Sequence, residues 1–117
     1  MLSVILTMWC IVVLDQRKSV RKVLKSKAVV ALDGRPPAPG RCFDVGSNGV
    51  SINVADPIEV GQVGWAKFDI SMEGTIMPIQ TRVKSLYCIF SQGEFKVGFQ
   101  FLQIDLSAST AIARYLR

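Results

Sequence analysis

The chain has 117 residues, 50% apolar and 20% charged, with a formal charge of +5 and a pI of about 9.4. This composition excludes a disordered chain, and the length fits one domain that buries roughly two-thirds of its unfolded surface. The absence of histidine removes the commonest general base, the commonest metal ligand and any Ser-His or Cys-His pair, while the basic balance favours an anionic partner: nucleotide, nucleic acid, acidic lipid or an acidic protein face.

Residues 1–14, MLSVILTMWCIVVL, are almost wholly apolar. They fall short of the roughly 20 residues a membrane-spanning helix needs. No basic stretch precedes them and no small-residue cleavage site follows, which speaks against a secretory signal. Val4, Ile5, Thr7, Ile11, Val12 and Val13 lean towards strand. The expected role is packing on the core or self-association; contact with a membrane or partner, and translation from Met8, are the alternatives. Residues 15–27 form a basic connector, with Arg17, Lys18, Arg21, Lys22, Lys25 and Lys27 against Asp15 alone. Most such runs are solvated segments. Here, though, Arg17 and Arg21 stand four apart with a lysine beside each. Two planar guanidinium forks suit a ligand with more than one anionic or acceptor-rich edge.

From Ala28 the pattern changes to short strands. Residues 28–32 are apolar and β-branched in the middle. Residues 33–40, DGRPPAPG, are dense in turn formers, and their three prolines argue against a central strand. A short run at 41–45 leads into Asp44, Val45, Gly46, Ser47, Asn48 and Gly49, the chemistry of a tight turn with positive φ. Val50, Ile52 and Val54 then alternate onto one face, as do Ala66, Phe68, Ile70 and Met72 after the break at Asp56 and Pro57. Glu73-Gly74 turns the chain, residues 76–90 are long for one strand, and Ser91-Gln92-Gly93-Glu94 is a hairpin turn. Phe95, Val97, Phe99 and Phe101 line one face of a strand expected to be central to the core. Residues 105–109 offer helix N-caps, and Ala108, Ile112, Tyr115 and Leu116 share one helical face, with Arg114 and Arg117 complementing the dipole. About six short strands and a C-terminal helix predict an all-β fold, a small antiparallel barrel with the helix plugging or flanking one end.

The chemistry-bearing residues do not assemble an enzyme. The nine carboxylates are scattered, mostly beside Gly or Pro in turns, with no metal-like cluster and no phosphate-binding glycine loop. Cys10, Cys42 and Cys88 are widely spaced in apolar runs without a CxxC pair, so they read as reduced core thiols rather than a zinc site. Neither a metal nor a cofactor is expected. A binding reading is available instead. The Asp44 carboxylate accepts through two oxygens and matches the donor-donor edge of guanine. The backbone of residues 46–49 can approach a ligand closely because two positions lack bulk. Arginines can reach guanine N7 and O6 or the phosphates. The bland alternative for this stretch is an ordinary hairpin turn with an Asp at its entry.

An RxxxR segment, Arg17-Lys18-Ser19-Val20-Arg21, followed some twenty residues on by a (D/N)xSxxG-like turn, Asp44-Val45-Gly46-Ser47-Asn48-Gly49, resembles the PilZ domain family of cyclic di-GMP receptors. The run Lys96-Val97-Gly98-Phe99-Gln100-Phe101-Leu102 before a short helix also looks like the end of such a domain. The resemblance covers about residues 16–117. It implies a six-stranded split barrel with a C-terminal helix over residues 28–117, with residues 15–27 as a switch segment folding over the ligand and residues 1–14 outside it. By the same resemblance Arg17 and Arg21 take phosphate and guanine contacts, Lys18 adds a phosphate contact, Asp44 takes the guanine edge, and Gly46, Ser47 and Gly49 shape the cradle. The sequence departs from the motif at Gly46, where serine would supply a hydroxyl.

The function implied is that of a cytoplasmic cyclic di-GMP receptor, at the inner membrane face if residues 1–14 touch it, acting on a protein partner or fused enzyme in motility, exopolysaccharide or biofilm output. A homodimer stays open. The second reading is an adaptor of the same fold that binds no nucleotide. A nucleic-acid-binding barrel is disfavoured because the aromatics fall in core-like alternation rather than interleaving with basic residues on the surface.

Overall fold

The computed structural model describes residues 20–117. Seven strands and one helix follow in order: β1 (Arg21–Val23), β2 (Lys27–Leu32), β3 (Ala38–Gly46), β4 (Gly49–Val54), β5 (Val63–Met72), β6 (Thr75–Ser91), β7 (Glu94–Gln103) and α1 (Leu106–Leu116). All pairings are antiparallel, and the order β3-β2-β5-β6-β7-β4 returns to β3, so six strands close into a ring with β1 attached outside it along β3. Closure leaves few free edges. The described chain is thus all-β with a C-terminal helix, as the alternation predicts.

The core fills the ring along the predicted faces. Val50, Ile52 and Val54 of β4, Ala66, Phe68 and Ile70 of β5, and Val97 and Phe99 of β7 are all buried. Phe95 and Phe101 pack against this core only in part, and Phe101 stacks on Phe68 at 6.5 Å between centroids. Each large side chain so buried contributes about 1.5–3 kcal/mol. Helix α1 is capped by Asp105, whose carboxylate accepts from the Ala108 N–H at 2.7 Å. It packs on the ring through Ala108, Ala111 and Ile112, with Tyr115 and Leu116 partly covered. Two hairpins close as expected: Glu73-Gly74 and Gln92-Gly93 both carry positive φ at the two central positions, the geometry of a two-residue turn matched to strand twist.

One expectation is refined and three are corrected. The proline-rich stretch holds no central strand, as expected, although β3 begins within it at Ala38 and Pro39 sits in register with Val29. Pairing with β4 starts only at Gly40, so at Pro39 the strand lies on an edge and needs no donor. The connector is not wholly irregular, because residues 21–23 pair with residues 44–46. The turn from Asp44 to Gly49 contains no positive φ; among the described residues the positive-φ glycines are 34, 61, 74 and 93. Finally, not every aromatic is in the core, since Phe43, Trp65, Tyr87 and Phe90 are exposed. Among the described cysteines Cys42 is buried and Cys88 half-buried, both as free thiols; Cys10 lies outside the described residues.

Candidate functional site

Pairing of β1 with β3 brings the two sequence motifs together. The register places Arg21 opposite Gly46 and Val23 opposite Asp44. Across this pair the Arg21 guanidinium donates from Nε at 3.1 Å and Nη2 at 2.7 Å to one carboxylate oxygen, Asp44 Oδ1. Its Nη2 also reaches Ser51 Oγ at 3.4 Å. The Arg21 side chain is 41% exposed and that of Asp44 18%. A pair this open contributes modestly to stability, about 0–1 kcal/mol. Its value lies in holding a guanidinium fork and a carboxylate side by side on the outer face of the ring, one offering donors and the other acceptors.

The two motif glycines serve close approach rather than unusual dihedrals. A Cβ at Gly49 would collide with the Phe99 carbonyl oxygen on β7, so only glycine lets β4 start against that strand. The turn tip is fixed there as well, with the Phe101 N–H donating to the Asn48 carbonyl at 2.9 Å. At Gly46 a Cβ would stand 3.0 Å from Arg21 Nη1 and 3.2 Å from its Cγ. Arg21 thus occupies the space beside the motif position where serine is replaced by glycine. Ser47 is exposed at the turn. Arg17 and Lys18 lie outside the described residues.

Two site residues were missed by sequence reasoning. Ser51 stands opposite Asp44 on β4, and its hydroxyl lies 3.1 Å from that of Tyr87 on β6. The Tyr87 ring lies over Gly98, where any Cβ would strike the ring. Arg21, Asp44, Ser51 and Tyr87 therefore form one polar row across β1, β3, β4 and β6. Alternation along β4 puts Ser51 on the face opposite Val50 and Ile52, the one local signal available. Nothing local marks Tyr87, which a register shift between Ser85 and Tyr87 carries into place.

On its other side β1 is fastened to the helix. Lys22 Nζ donates to the Tyr115 carbonyl at 3.2 Å and lies 4.5 Å from the Tyr115 ring centroid. The Tyr115 hydroxyl donates to the Val23 carbonyl at 2.8 Å. Among the described residues no group of His, Cys, Asp and Glu could hold a metal ion.

The PilZ domain family model matches residues 15–117. The chain belongs to the PilZ domain family. No curated protein matches it significantly. Solved structures with the same fold include the Bacillus subtilis inhibitor of motility MotI/DgrA (TM-score 0.76, 13% identity, covering 86% of this chain and 49% of that one). They also include the PilZ domain of Escherichia coli YcgR with cyclic di-GMP (TM-score 0.65, 12% identity, 86% and 88%). A third is the Borreliella burgdorferi PlzA protein in complex with cyclic di-GMP (TM-score 0.57, 16% identity, 83% and 39%). This PilZ chain spans about half the length of MotI/DgrA. Among its described residues no helix is long and apolar enough to cross a membrane.

Proposed function

We propose that this PilZ domain is a receptor for cyclic di-GMP, with Arg17, Lys18, Arg21, Asp44, Gly46, Ser47 and Gly49 as its ligand-binding set. The observation that carries the reading is the Arg21–Asp44 pair at 2.7 Å, which places the end of the RxxxR segment on the first residue of the turn motif. Family membership supports it, as do the solved PilZ structures of YcgR and PlzA with cyclic di-GMP. The two Arg21 nitrogens that donate to Asp44 both fall on Oδ1, and Oδ2 takes no hydrogen bond from another described residue. A guanine edge with two parallel donors competes for this carboxylate. The displaced guanidinium is then free to turn onto the base or a phosphate. Charge-assisted bonds of this kind contribute about 1.5–3 kcal/mol each.

The same exchange provides a route for output. Residues 15–27 act as the switch segment and residues 28–117 as the scaffold. Since β1 is tied to α1 through Lys22, Val23 and Tyr115, moving Arg21 strains a contact with the helix. The changed surface is read by a protein partner or a fused enzyme controlling motility, exopolysaccharide or biofilm formation, with homodimerisation a further outcome.

A titration with cyclic di-GMP and cyclic di-AMP tests this. Only the guanine ligand should bind, because adenine lacks the donor-donor edge that Asp44 accepts; equal affinity for both, or none for either, removes the reading. Binding of neither ligand would favour the adaptor role. One observation speaks for that role: Arg21 fills the space beside Gly46 and satisfies Asp44 without a ligand.

A further inference from the structure

Strand β6 outruns one of its neighbours. It covers Thr75–Ser91, but its pairing with β5 ends at Lys84 opposite Val63. Ser85 is still held on that side by the loop before β5. Its N–H donates to the Gln62 carbonyl at 2.9 Å, and its carbonyl accepts from the Gly61 N–H at 2.8 Å. The register shift between Ser85 and Tyr87 then bulges the strand at Leu86, and bulges often end a pairing in this way. From there to Ser91, β6 is bonded to β7 alone, and among the described residues none pairs with its other edge. The tight turn at Gln92-Gly93 makes Ser91 and Glu94 a hydrogen-bonded pair. Alternation therefore turns the amides and carbonyls of Tyr87 and Ile89 to β7 and leaves those of Cys88 and Phe90 on the open side.

Edge strands are commonly blunted by charged residues or proline. Residues 86–91, LYCIFS, hold neither. Their side chains are open to solvent, with Ile89 54% and Phe90 65% exposed. The Phe90 ring packs on Phe95 across the hairpin at 5.1 Å between centroids, which keeps the strand in shape to its tip. An uncharged, β-prone edge of this kind is a template for a further strand.

The symmetry of the edge fits an identical partner. Antiparallel pairing about a two-fold axis at Ile89 sets Cys88 of each copy opposite Phe90 of the other, so the free N–H and C=O groups of both residues are satisfied. Ile89 then faces Ile89 in a non-hydrogen-bonded pair, with Cα atoms about 4.5 Å apart. Lys84 precedes the open edge and Glu94 follows it. The antiparallel arrangement therefore brings the basic end of one copy to the acidic end of the other. A contact that pairs one patch with itself closes at two chains. We infer that residues 86–91 form an edge-to-edge interface between two copies of this chain. The interface does not depend on the cyclic di-GMP reading, which its failure would leave standing.

Sedimentation velocity of the full chain across a range of concentrations tests this, with two variants checked for folding by circular dichroism. Phe90→Pro removes an N–H on the open side and none from the β6–β7 ladder. Ile89→Glu gains Lys96 as its cross-strand neighbour on β7 but meets its own charge across the two-fold axis. The wild type should dimerise, and each folded variant should self-associate roughly tenfold or more weakly; Ile89→Glu decides if the proline variant does not fold. Hydrogen exchange at the Cys88 and Phe90 amides should quicken on dilution of the wild type. A wild type that stays monomeric, or a dimer that persists unchanged in folded Ile89→Glu, would overturn the inference. Protection of these two amides that is independent of concentration would also overturn it, because the chain would then cover its own edge.

Discussion

Replacing Gly49 by alanine adds one methyl group at the point where β4 leaves the motif turn. Its Cβ would collide with the Phe99 carbonyl oxygen and stand 3.2 Å from the carbonyl carbon, and both atoms are backbone. No rotamer change relieves this, so β4 and β7 must separate locally. Overpacking of this kind costs about 1–3 kcal/mol. The hydrogen bond from the Phe101 N–H to the Asn48 carbonyl, 2.9 Å long beside it, adds about 1 kcal/mol when lost. The expected loss is therefore about 2–4 kcal/mol, with each kcal/mol lowering the melting temperature of a domain this size by about 4–8 °C. Urea unfolding followed by circular dichroism should show a lower midpoint with an unchanged slope, while Ser47→Ala at the exposed tip stays within about 0.5 kcal/mol of wild type. A Gly49→Ala domain as stable as wild type would refute the argument that this glycine is there for close approach.

Two further outcomes are expected. Tyr115→Phe removes the hydrogen bond to the Val23 carbonyl, costing about 0.5–1.5 kcal/mol. Hydrogen exchange should show the Leu24 amide, bonded to the Phe43 carbonyl, opening faster while amides shared by β6 and β7 are unchanged. Burial pushes the Cys42 thiol up to about 11 from 9.0. Its folded-state pKa is raised, so the contribution to stability is complete below pH 9 and is lost as pH rises through the folded value. Relative to Cys42→Val, the wild type should lose about 2–3 kcal/mol across that window, measured as unfolding free energy against pH.

What could be read in advance was local. Alternation in residues 50–54 and 66–72 determines which face meets the core because a strand's side chains repeat every two residues. Glu73-Gly74 and Gln92-Gly93 announce their turns through the backbone freedom of glycine, and Asp105 announces the helix through its own capping bond. The features that escaped depend on distant partners. Pro39 is acceptable in β3 only because β4 does not reach it. Gly49 looks like a positive-φ residue until β7 is laid beside it. Residues 21–23 have no strand signal of their own and pair because residues 44–46 offer an edge. Phe43 and Tyr87 fit core-like spacing, yet register shifts in β3 and β6 turn both outward. The Arg21–Asp44 pairing was legible as chemistry from motif spacing, whereas its completion by Ser51 and Tyr87 was not.

The central claim is that Arg21 and Asp44 jointly receive cyclic di-GMP. Calorimetric titration of wild type, Arg21→Ala and Asp44→Ala tests it most directly. Each substitution removes at least one charge-assisted contact of about 1.5–3 kcal/mol, so each should weaken binding by roughly ten- to a hundredfold or abolish it, with folding preserved because Arg21 is exposed and Asp44 only partly buried. Tight binding that is unchanged in both variants would contradict the account.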